Sequence, residues 1–420
     1  MEGIADIAIK EKFQLPNMQH QDAKHHIRIY DVDNRIKENL LDGYTSFMDG
    51  DIIERQKIIW KKELETIIAE IDQEKPEHVF LSIHGVYYRF NNYFSIIDNI
   101  TLAKFRPTVI ITLIDDIYDV ADRVTKKEIQ YKTNSSCNLS EALGWRTVET
   151  LMADKIAENL YLNPKDVGIS PSSFNAYPNE VKQFFGQNIP HFILSAKHNL
   201  HTFYRLLFER KRLHIYSSFP ITSTRTNKAS IDEINDFKQK LEKDYIVFDP
   251  AAIDEFLLKS KSKTPPDEMK LLNSGNLIQS ENENYLLLKR LHGNYSRSTE
   301  LPASLQIDEM DKIKDAIIRQ IEKRDYRMVH QSQVVVAYRP FWGNRSDPAG
   351  GVDQELRWAI DLNKGALAYH NNDDDGKPKE MFTGFEDAKK FETKEKLFDH
   401  LKMLQQQNAA RMKTLADTWE

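Results

Sequence analysis

The apolar positions of the chain follow two patterns, short continuous runs and longer segments with apolar residues three and four positions apart. Runs that predict β-strands in the first half lie at 27–32, 78–83, 107–116 and 191–196. Helical spacing covers 54–74, 139–161 and 198–211. Strands that alternate with helices are typical of parallel sheets in an α/β protein.

The second half repeats this alternation. Strands are predicted at 213–219, 245–250, 333–338 and 365–370, and helices at 230–244, 307–325 and after Gly350. Ser140 and Ser230 are the predicted N-caps of their helices, and Glu233 follows Ser230 at capping-box spacing.

The length of 420 residues favours two domains, because it exceeds what one compact core usually holds. We expect an α/β protein whose two domains, 1–211 and 212–420, each contain a mainly parallel sheet flanked by helices. The C-terminal domain is expected to be flavodoxin- or Rossmann-like. Its polar, proline-containing segment 251–306 predicts an insertion, and 384–420 predicts C-terminal helices.

Composition narrows the class of protein. A charged fraction of 29% and a hydrophobic fraction of 40% are typical of a soluble globular protein. No apolar run approaches the roughly 20 residues of a membrane-spanning helix, and the N-terminus lacks the pattern of a secretory signal. The single cysteine, Cys137, excludes an intramolecular disulfide and a cysteine-rich zinc site, and it suits a cytoplasmic location.

Charge and histidine spacing argue against two kinds of partner. A net charge of −6 gives no electrostatic reason to bind a nucleic acid polymer. His198 and His201 are three positions apart on a predicted helix, but no third ligand follows at metal-like spacing. We therefore expect no metal and no cofactor.

Two loops of the second half leave predicted strand ends, where open parallel sheets bind their ligands. The first, in "SSFPITSTR", offers hydroxyl groups and an arginine that suit a phosphate, from Ser217, Ser218, Thr222, Ser223, Thr224 and Arg225. The second ends in Gly350 and Gly351, where a backbone can approach a ligand closely. In this loop Phe341 and Trp342 either stack on a base or cover the end of the sheet.

Glu355 follows the second loop near the start of a helix whose apolar stripe contains Leu356, Ala359 and Ile360. The positive partial charge at a helix start favours an ionised carboxylate. One interpretation is a nucleophile that attacks the anomeric carbon of a sugar or stabilises an oxocarbenium-like state. The other is a first-turn acid that only complements the helix dipole.

Three segments in this order, "IYSSFPITSTR", "RDYRMVHQSQVVVAYRP" and "GVDQELRWA", resemble the nucleoside 2-deoxyribosyltransferase family, which includes the 2'-deoxynucleoside 5'-phosphate N-hydrolases. The resemblance covers roughly residues 213–375, apart from the insertion. It implies that Glu355 is the nucleophile and that Tyr216 lies beside it. It also implies that Ser217, Ser218, Thr222 and Arg225 belong to the segment that holds a sugar or phosphate.

One position departs from this family pattern. An aspartate is common just before the valine-rich strand, and here the residue is Gln333. A glutamine can form hydrogen bonds but cannot act as a general acid. Asp347 or Asp353 are the candidate replacements, and both an altered substrate and an inactive site stay open.

The first half resembles the later part of a nucleoside-monophosphate-kinase-like P-loop fold, in "HVFLSIHGVYYRFNNYF", "PTVIITLIDDIYDVADRV" and "WRTVETLMADKIAENL". The resemblance implies a metal-coordinating place for Asp115 or Asp116, and a lid or acceptor site near Arg123, Arg146 and Glu149. No G-x-x-x-x-G-K-[ST] motif occurs in the chain. We therefore expect a degenerate, nucleotide-sensing or structural domain. Asp115 and Asp116 could also simply cap the strand end.

The leading hypothesis is an enzyme that cleaves or exchanges the N-glycosidic bond of a nucleoside or nucleotide. A TIR-like enzyme that cleaves NAD is one alternative, and a non-catalytic nucleotide-binding protein is another. A stripe on the last helix favours either self-association into a homo-oligomer or packing on the protein's own sheet, and it contains Leu397, Phe398, Leu401 and Leu404.

Overall fold

The computed structural model describes residues 27–40, 47, 52–89, 92–117, 120, 138–160, 189–209, 211–221, 228–253, 307–340, 350–370 and 387–417. The chain forms two compact units, Met1–Ile193 and Leu194–Glu420. The boundary therefore falls earlier than the predicted position 212. The physical reason is that the helix Leu200–Phe208 packs on a strand and a helix of the second unit.

The first unit contains three two-stranded sheets within its described residues, except that the last two residues of the strand His191–Ser195 belong to the second unit. Strands β1 (Ile27–Asp31) and β2 (His78–Ser82) are parallel, β3 (Tyr87–Arg89) and β4 (Asn92–Phe94) form an antiparallel hairpin, and β5 (Ile110–Ile114) neighbours β6 (His191–Ser195). The helices are α1 (Val32–Leu40), α2 (Ile53–Glu74), α3 (Asn99–Phe105) and α4 (Leu139–Leu160). Trp60, Leu64 and Ile67 of α2 are fully buried in the core of this unit.

The N-terminal cap of α4 differs from the prediction. Because the helix begins at Leu139, Ser140 already lies inside its first turn. The Glu141 N–H donates to Asn138 Oδ1 at 2.9 Å, and the Asn138 N–H donates to Glu141 Oε2 at 2.8 Å. This reciprocal pair is a capping box whose cap is Asn138.

The second unit contains a five-stranded parallel sheet in the order β11-β10-β9-β7-β8. Its strands are β7 (His214–Ser218), β8 (Ile246–Phe248), β9 (Val334–Arg339), β10 (Gly365–His370) and β11 (Lys389–Phe391). Its helices are α5 (Leu200–Phe208), α6 (Lys228–Asp244), α7 (Ile307–Gln331), α8 (Gly350–Asp361) and α9 (Lys394–Asp417). No helix within the described ranges has the length and apolar character needed to cross a membrane.

The strand order confirms the expected α/β class and the flavodoxin-like arrangement of the second unit. The first strand of the sheet, β7, lies between β8 and β9. The chain adds β8 on one side of β7 and then β9, β10 and β11 on the other side, so the direction in which strands are added reverses at the β7–β9 pair. In open parallel sheets, the crevice beyond the carboxyl ends of the strands at such a reversal is where ligands bind.

Helices cover both faces of this sheet. On one face, α6 and α9 pack over Ile215, Val336 and Tyr338, and Phe237 of α6 stacks on Tyr338 with ring centroids 4.1 Å apart. Helices α7 and α8 lie over the other face. Predicted insertion residues 254–306 lie outside the described part of the chain.

The apolar stripe of the last helix packs on the protein's own sheet. Leu397 and Leu401 belong to the core of the second unit, and Phe398 and Leu404 pack against it. The stripe therefore no longer argues for self-association. The segment before this helix forms β11, a short strand with exposed lysines that the sequence pattern did not predict.

The cap predicted for α6 is also wrong. The helix begins at Lys228, so Ser230 is a buried residue inside it. Glu233 accepts hydrogen bonds from the Tyr338 hydroxyl and from Lys394 Nζ, the latter at 3.2 Å. It thus joins α6 to β9 and α9.

The C-terminal end of α8 is closed by a left-handed residue, Asn363, with a φ of 53°. The Lys364 N–H donates to the Ala359 carbonyl at 2.8 Å, and the Asn363 N–H donates to the Ile360 carbonyl at 2.9 Å. This pair of bonds is a Schellman motif, which ends the helix directly before β10.

We predict that Leu401→Ala lowers the free energy of unfolding by about 2–5 kcal/mol, because it leaves a cavity in the core. Met403→Ala on the same helix, whose side chain is 41% exposed, should change it by about 0.5 kcal/mol or less. Urea unfolding of the two variants measures the difference. Equal effects would contradict the packing of α9 on the sheet.

Candidate functional site

The candidate site lies at the β7–β9 reversal, where α8 packs on β9, β10 and α7. The buried face of α8 consists of Val352, Glu355, Leu356 and Ala359, at helical spacing. Glu355 is therefore the one charged residue on the buried face of this helix. Only 8% of its surface is exposed.

Each carboxyl oxygen of Glu355 accepts a hydrogen bond from a hydroxyl group of β7. The Tyr216 hydroxyl donates to Oε1 at 2.6 Å, and the Ser218 hydroxyl donates to Oε2. Alternate residues of a strand point to the same face of a sheet, so both donors face α8. Both donors are fully buried.

Helix α7 brings an ion pair to this neighbourhood. Arg324 Nη2 lies 2.9 Å from Asp325 Oδ1, and their side chains are only 8% and 15% exposed. Charges on both residues act on Glu355: the negative charge of Asp325 opposes its ionisation, whereas the positive charge of Arg324 favours it. Tyr326, the next residue of α7, packs edge-on against Trp358 of α8 with ring centroids 5.4 Å apart, so this stretch of α7 lies against the part of α8 that carries Glu355.

Burial is the main cause of an altered proton affinity at this site, and it raises the pKa of Glu355 to about 8. The charge of Asp325 raises this pKa further, while the hydrogen bonds from Ser218 and Tyr216 and the charge of Arg324 lower it. Burial also raises the pKa of Tyr216 well above its ordinary value. Both groups are therefore mainly protonated at neutral pH, and Glu355 ionises just above it.

The expectation that the helix dipole keeps Glu355 ionised is wrong. Helix α8 begins at Gly350, and the acid in its first turn is Asp353. Glu355 lies beyond that turn, where the dipole has weakened and burial dominates. Neither does Glu355 behave as a surface acid that complements the dipole, because its side chain faces the sheet.

Asp353, a candidate replacement for the family's aspartate, is half-buried in that first turn. Burial raises its pKa and the charge of Arg357 lowers it. Its Oδ1 is buried without a hydrogen-bond partner among the described residues. The other candidate, Asp347, lies outside the described residues.

Two residues predicted for the site point elsewhere. Ser217 alternates with Tyr216 and Ser218, so its side chain leaves the opposite face of β7, and its hydroxyl donates to the Phe248 carbonyl at 3.5 Å. Gln333 precedes β9 at its amino end and is exposed. Its Oε1 accepts the His214 N–H at 3.0 Å and its Nε2 donates to Asn408 at 2.9 Å, so it braces that end of the sheet.

The loops of the site are only partly described. Gly350 and Gly351 are exposed, and an added Cβ at either would meet no atom of the described residues within 4 Å. Thr222, Ser223, Thr224, Arg225, Phe341 and Trp342 lie outside the described residues.

The sequence patterns assign no role to Arg324 or Asp325, although both begin the matched segment "RDYRMVHQSQVVVAYRP". A further charged residue, Arg339, ends β9 and is 4% exposed. Its side chain lies on the same face of the sheet as that of Ser218. Ser218 pairs with Ala337, and Arg339 follows Ala337 by two positions along β9. Charged residues within segments that are otherwise buried are the signal that could have found all three.

In the first unit, Asp115 and Asp116 are buried directly after β5. Asp115 Oδ1 accepts the Asp116 N–H at 2.8 Å, which fits the interpretation as a cap of the strand end. Arg146 Nη1 donates to the Asp115 carbonyl at 3.0 Å.

Glu149 accepts the N–H groups of Gly85 and Val86 at 2.6 and 2.9 Å, and burial raises its pKa. Arg123 lies outside the described residues.

Within the described ranges, no three His, Cys, Asp or Glu side chains are grouped so that they could hold a metal ion. The ring nitrogens of His198 face backbone N–H groups, that of Ser195 at 2.9 Å and that of Asp249 at 3.0 Å. Burial lowers the pKa of His198 to about 4. It is therefore a neutral residue that joins Ser195 to Asp249 within the second unit.

Comparison with models of known protein families finds no match, and no curated protein matches the chain. The residues themselves therefore carry the functional argument.

We predict that Glu355→Gln changes the pH dependence of stability. A carboxyl group whose pKa rises from 4.5 in the unfolded chain to about 8 in the folded protein holds its proton more tightly when folded. Its favourable contribution is full below the lower value and is lost as the pH rises towards the upper one. Glutamine does not titrate, so between about pH 5.5 and about pH 8.5 the variant should gain more than about 1 kcal/mol relative to the parent.

Urea unfolding of the parent and Glu355→Gln at both pH values measures this gain. Asp361→Asn, which removes an exposed carboxylate from the same helix, is the matched control and should follow the parent. A parent-to-glutamine difference that is the same at both pH values would show that Glu355 has an ordinary pKa.

Proposed function

We propose that the second unit is an enzyme that breaks the N-glycosidic bond of a nucleoside or nucleotide, with Glu355 as the nucleophile. The observation that carries the proposal is the buried carboxyl group at the β7–β9 reversal, held by hydroxyl groups on both oxygens. Ligands of open parallel sheets bind at this place. The resemblance to the nucleoside 2-deoxyribosyltransferase family adds the kind of bond and the order of the residues.

The proposed reaction has two steps. Glu355 attacks the anomeric carbon, the carbon–nitrogen bond breaks, and the bonding electrons leave with the base, which takes up a proton. The product of this step is an ester between Glu355 and the sugar. Water then attacks the same carbon in a hydrolase, or the nitrogen of a second base does so in a transferase. The bond between this carbon and Glu355 breaks, Glu355 leaves as a carboxylate, and the attacking group gives up one proton to solvent, which balances the proton taken up by the first base.

The geometry suits such a nucleophile in two ways. Tyr216 and Ser218 fix the rotation of the carboxyl group, so that reorganisation is small when a substrate arrives. Burial removes water from the carboxylate and increases the electrostatic effect of the hydroxyl donors on it. Gly350 and Gly351 are exposed at the start of the same helix, where a backbone without side chains can approach a ligand closely.

The experiment is a panel of nucleosides, nucleotides and NAD incubated with the full chain, with released base measured by chromatography. Base release from nucleosides or nucleotides that Glu355→Gln lowers by about 10³-fold or more supports the proposal. Asp361→Asn should retain the activity of the parent, since Asp361 is exposed on the same helix.

Other outcomes select other functions. Release of nicotinamide from NAD alone indicates the TIR-like alternative. Binding of a nucleotide without product after long incubation indicates a non-catalytic nucleotide-binding protein. Parent-like turnover by a folded Glu355→Gln variant rejects Glu355 as the nucleophile.

We predict that kcat/KM rises with pH up to about 8, because the nucleophile must be ionised and the pKa of Glu355 is about 8. A pH–rate profile with the best substrate of the panel measures this limb. If Glu355 donated a proton instead, kcat/KM would fall over the same range. The slope therefore separates the two roles of the same carboxyl group.

A further inference from the structure

Arg324 and Asp325 are consecutive residues of α7 whose side chains are both nearly buried. Ion pairs that stabilise a helix join residues three or four positions apart, because those lie on one side of it. A pair between neighbours has little value of this kind. Its burial in the second unit therefore needs another explanation.

The guanidinium group of Arg324 bridges two parts of the second unit. Nε donates to Asp325 Oδ1 at 3.0 Å. Nη1 donates to the Ile253 carbonyl at 3.1 Å, and Nη2 donates to the Pro250 carbonyl at 3.4 Å. Both carbonyls belong to the short turn that follows β8. Only arginine has a planar group with enough donors to serve a carboxylate and two carbonyls together.

The turn after β8 is itself fixed from other sides. Asp249 caps it by accepting the Ala251 N–H at 2.9 Å, and its carboxylate forms a buried ion pair with Lys238 of α6. The Ser195 hydroxyl donates to the Ala252 carbonyl at 2.9 Å. Arg324 is thus anchored to a rigid part of the backbone, and through Arg324 the same backbone fixes Asp325.

We propose that Arg324 is a positioning residue of the site: it fixes Asp325 beside Glu355 and balances the negative charge that the two carboxyl groups bring together. The inference rests on the proposed function for its kinetic consequences. Its electrostatic part concerns Glu355 alone and is measurable without a substrate.

The charged and titratable groups around Glu355 come from each neighbouring element. Tyr216 of β7 and Arg324 and Asp325 of α7 act on Glu355, Arg339 lies on the same sheet face at the end of β9, and Asp353 and Arg357 belong to α8 itself. On this face of β10 the described side chains are Ala366 and Ala368, which do not titrate. Among these groups, Arg324 is the cation that lowers the pKa of Glu355.

The test compares Arg324→Met, which removes the charge and the donors, with Arg324→Lys, which keeps the charge but loses the planar group that serves the carboxylate and both carbonyls together. Lys323→Met is the matched control, since it removes a charge from the exposed neighbouring position. With the best substrate, Arg324→Met should lower kcat by about 10²-fold, as expected when a group near the reacting atoms is misplaced. KM should change less than about threefold, because the guanidinium group of Arg324 is bound to Asp325 and to two carbonyls of the protein.

The pH profile separates positioning from general damage to the fold. In Arg324→Met the acid limb of kcat/KM should move to higher pH, whereas in Arg324→Lys it should stay near that of the parent while kcat is intermediate. Lys323→Met should match the parent in both measurements. Parent-like kcat and an unmoved limb in a folded Arg324→Met variant would overturn the inference.

A measurement without substrate keeps the two proposals apart. The ¹³C resonance of the Glu355 carboxyl group, assigned by its absence in Glu355→Gln, gives the midpoint of its titration directly. A higher midpoint in Arg324→Met than in the parent supports the inference even if no base is released from any compound. An unchanged midpoint overturns it even if the enzyme is active. If Arg324→Met does not fold, parent-like kcat in Arg324→Lys overturns the positioning role.

Discussion

The burial of one carboxyl group, that of Glu355, is the constraint on which the site depends. An ionised carboxylate away from water is costly unless its oxygens receive hydrogen bonds. Here β7 provides a hydroxyl donor to each oxygen, and α7 provides a cation nearby. These groups offset only part of the effect of burial on ionisation, since the pKa of Glu355 is still raised to about 8. The site therefore holds a carboxyl group that changes its charge close to neutral pH.

The two faces of β7 have different roles, one in the core and the other in the candidate site. Ile215 and Phe219 face the core formed with α6 and α9. Tyr216 and Ser218 face the opposite helices and hold Glu355. Because the period of a strand is two residues, a register shift of one position would exchange these sets. The same parallel pairing that builds the sheet thus also keeps the hydroxyl groups under α8.

Much of the fold could be predicted because periodicity is a local property. The strand-helix alternation and the parallel sheet of the second unit follow from spacing and from the order of segments, whereas the pairing of Tyr216 with Glu355 was implied by the family resemblance. Helix starts were less accurate: Asn138 and Lys228 precede the serines chosen as caps. Several residues near a helix start can serve as its cap, and local sequence alone does not choose between them.

The arrangement of the site could be predicted less well, because it depends on which face a side chain leaves and on contacts between distant segments. Ser217 and Gln333 have suitable chemistry, but one leaves the wrong face of β7 and the other lies at the wrong end of β9. Asp325 and Arg324 reach the site from a helix that precedes β9, and no short motif encodes their distance from Glu355.

The Schellman motif at Asn363 has a consequence for how this chain can vary. With α8 closed directly before β10, an extra residue inserted between Glu355 and Asn363 cannot be absorbed by letting the helix run on. Each inserted residue turns the preceding part of a helix by about 100° around its axis. One insertion would swing the carboxyl group away from β7, whereas a change of loop length before Gly350 would leave its angular phase intact. Related chains that keep this chemistry should therefore differ in length before the helix and not within it.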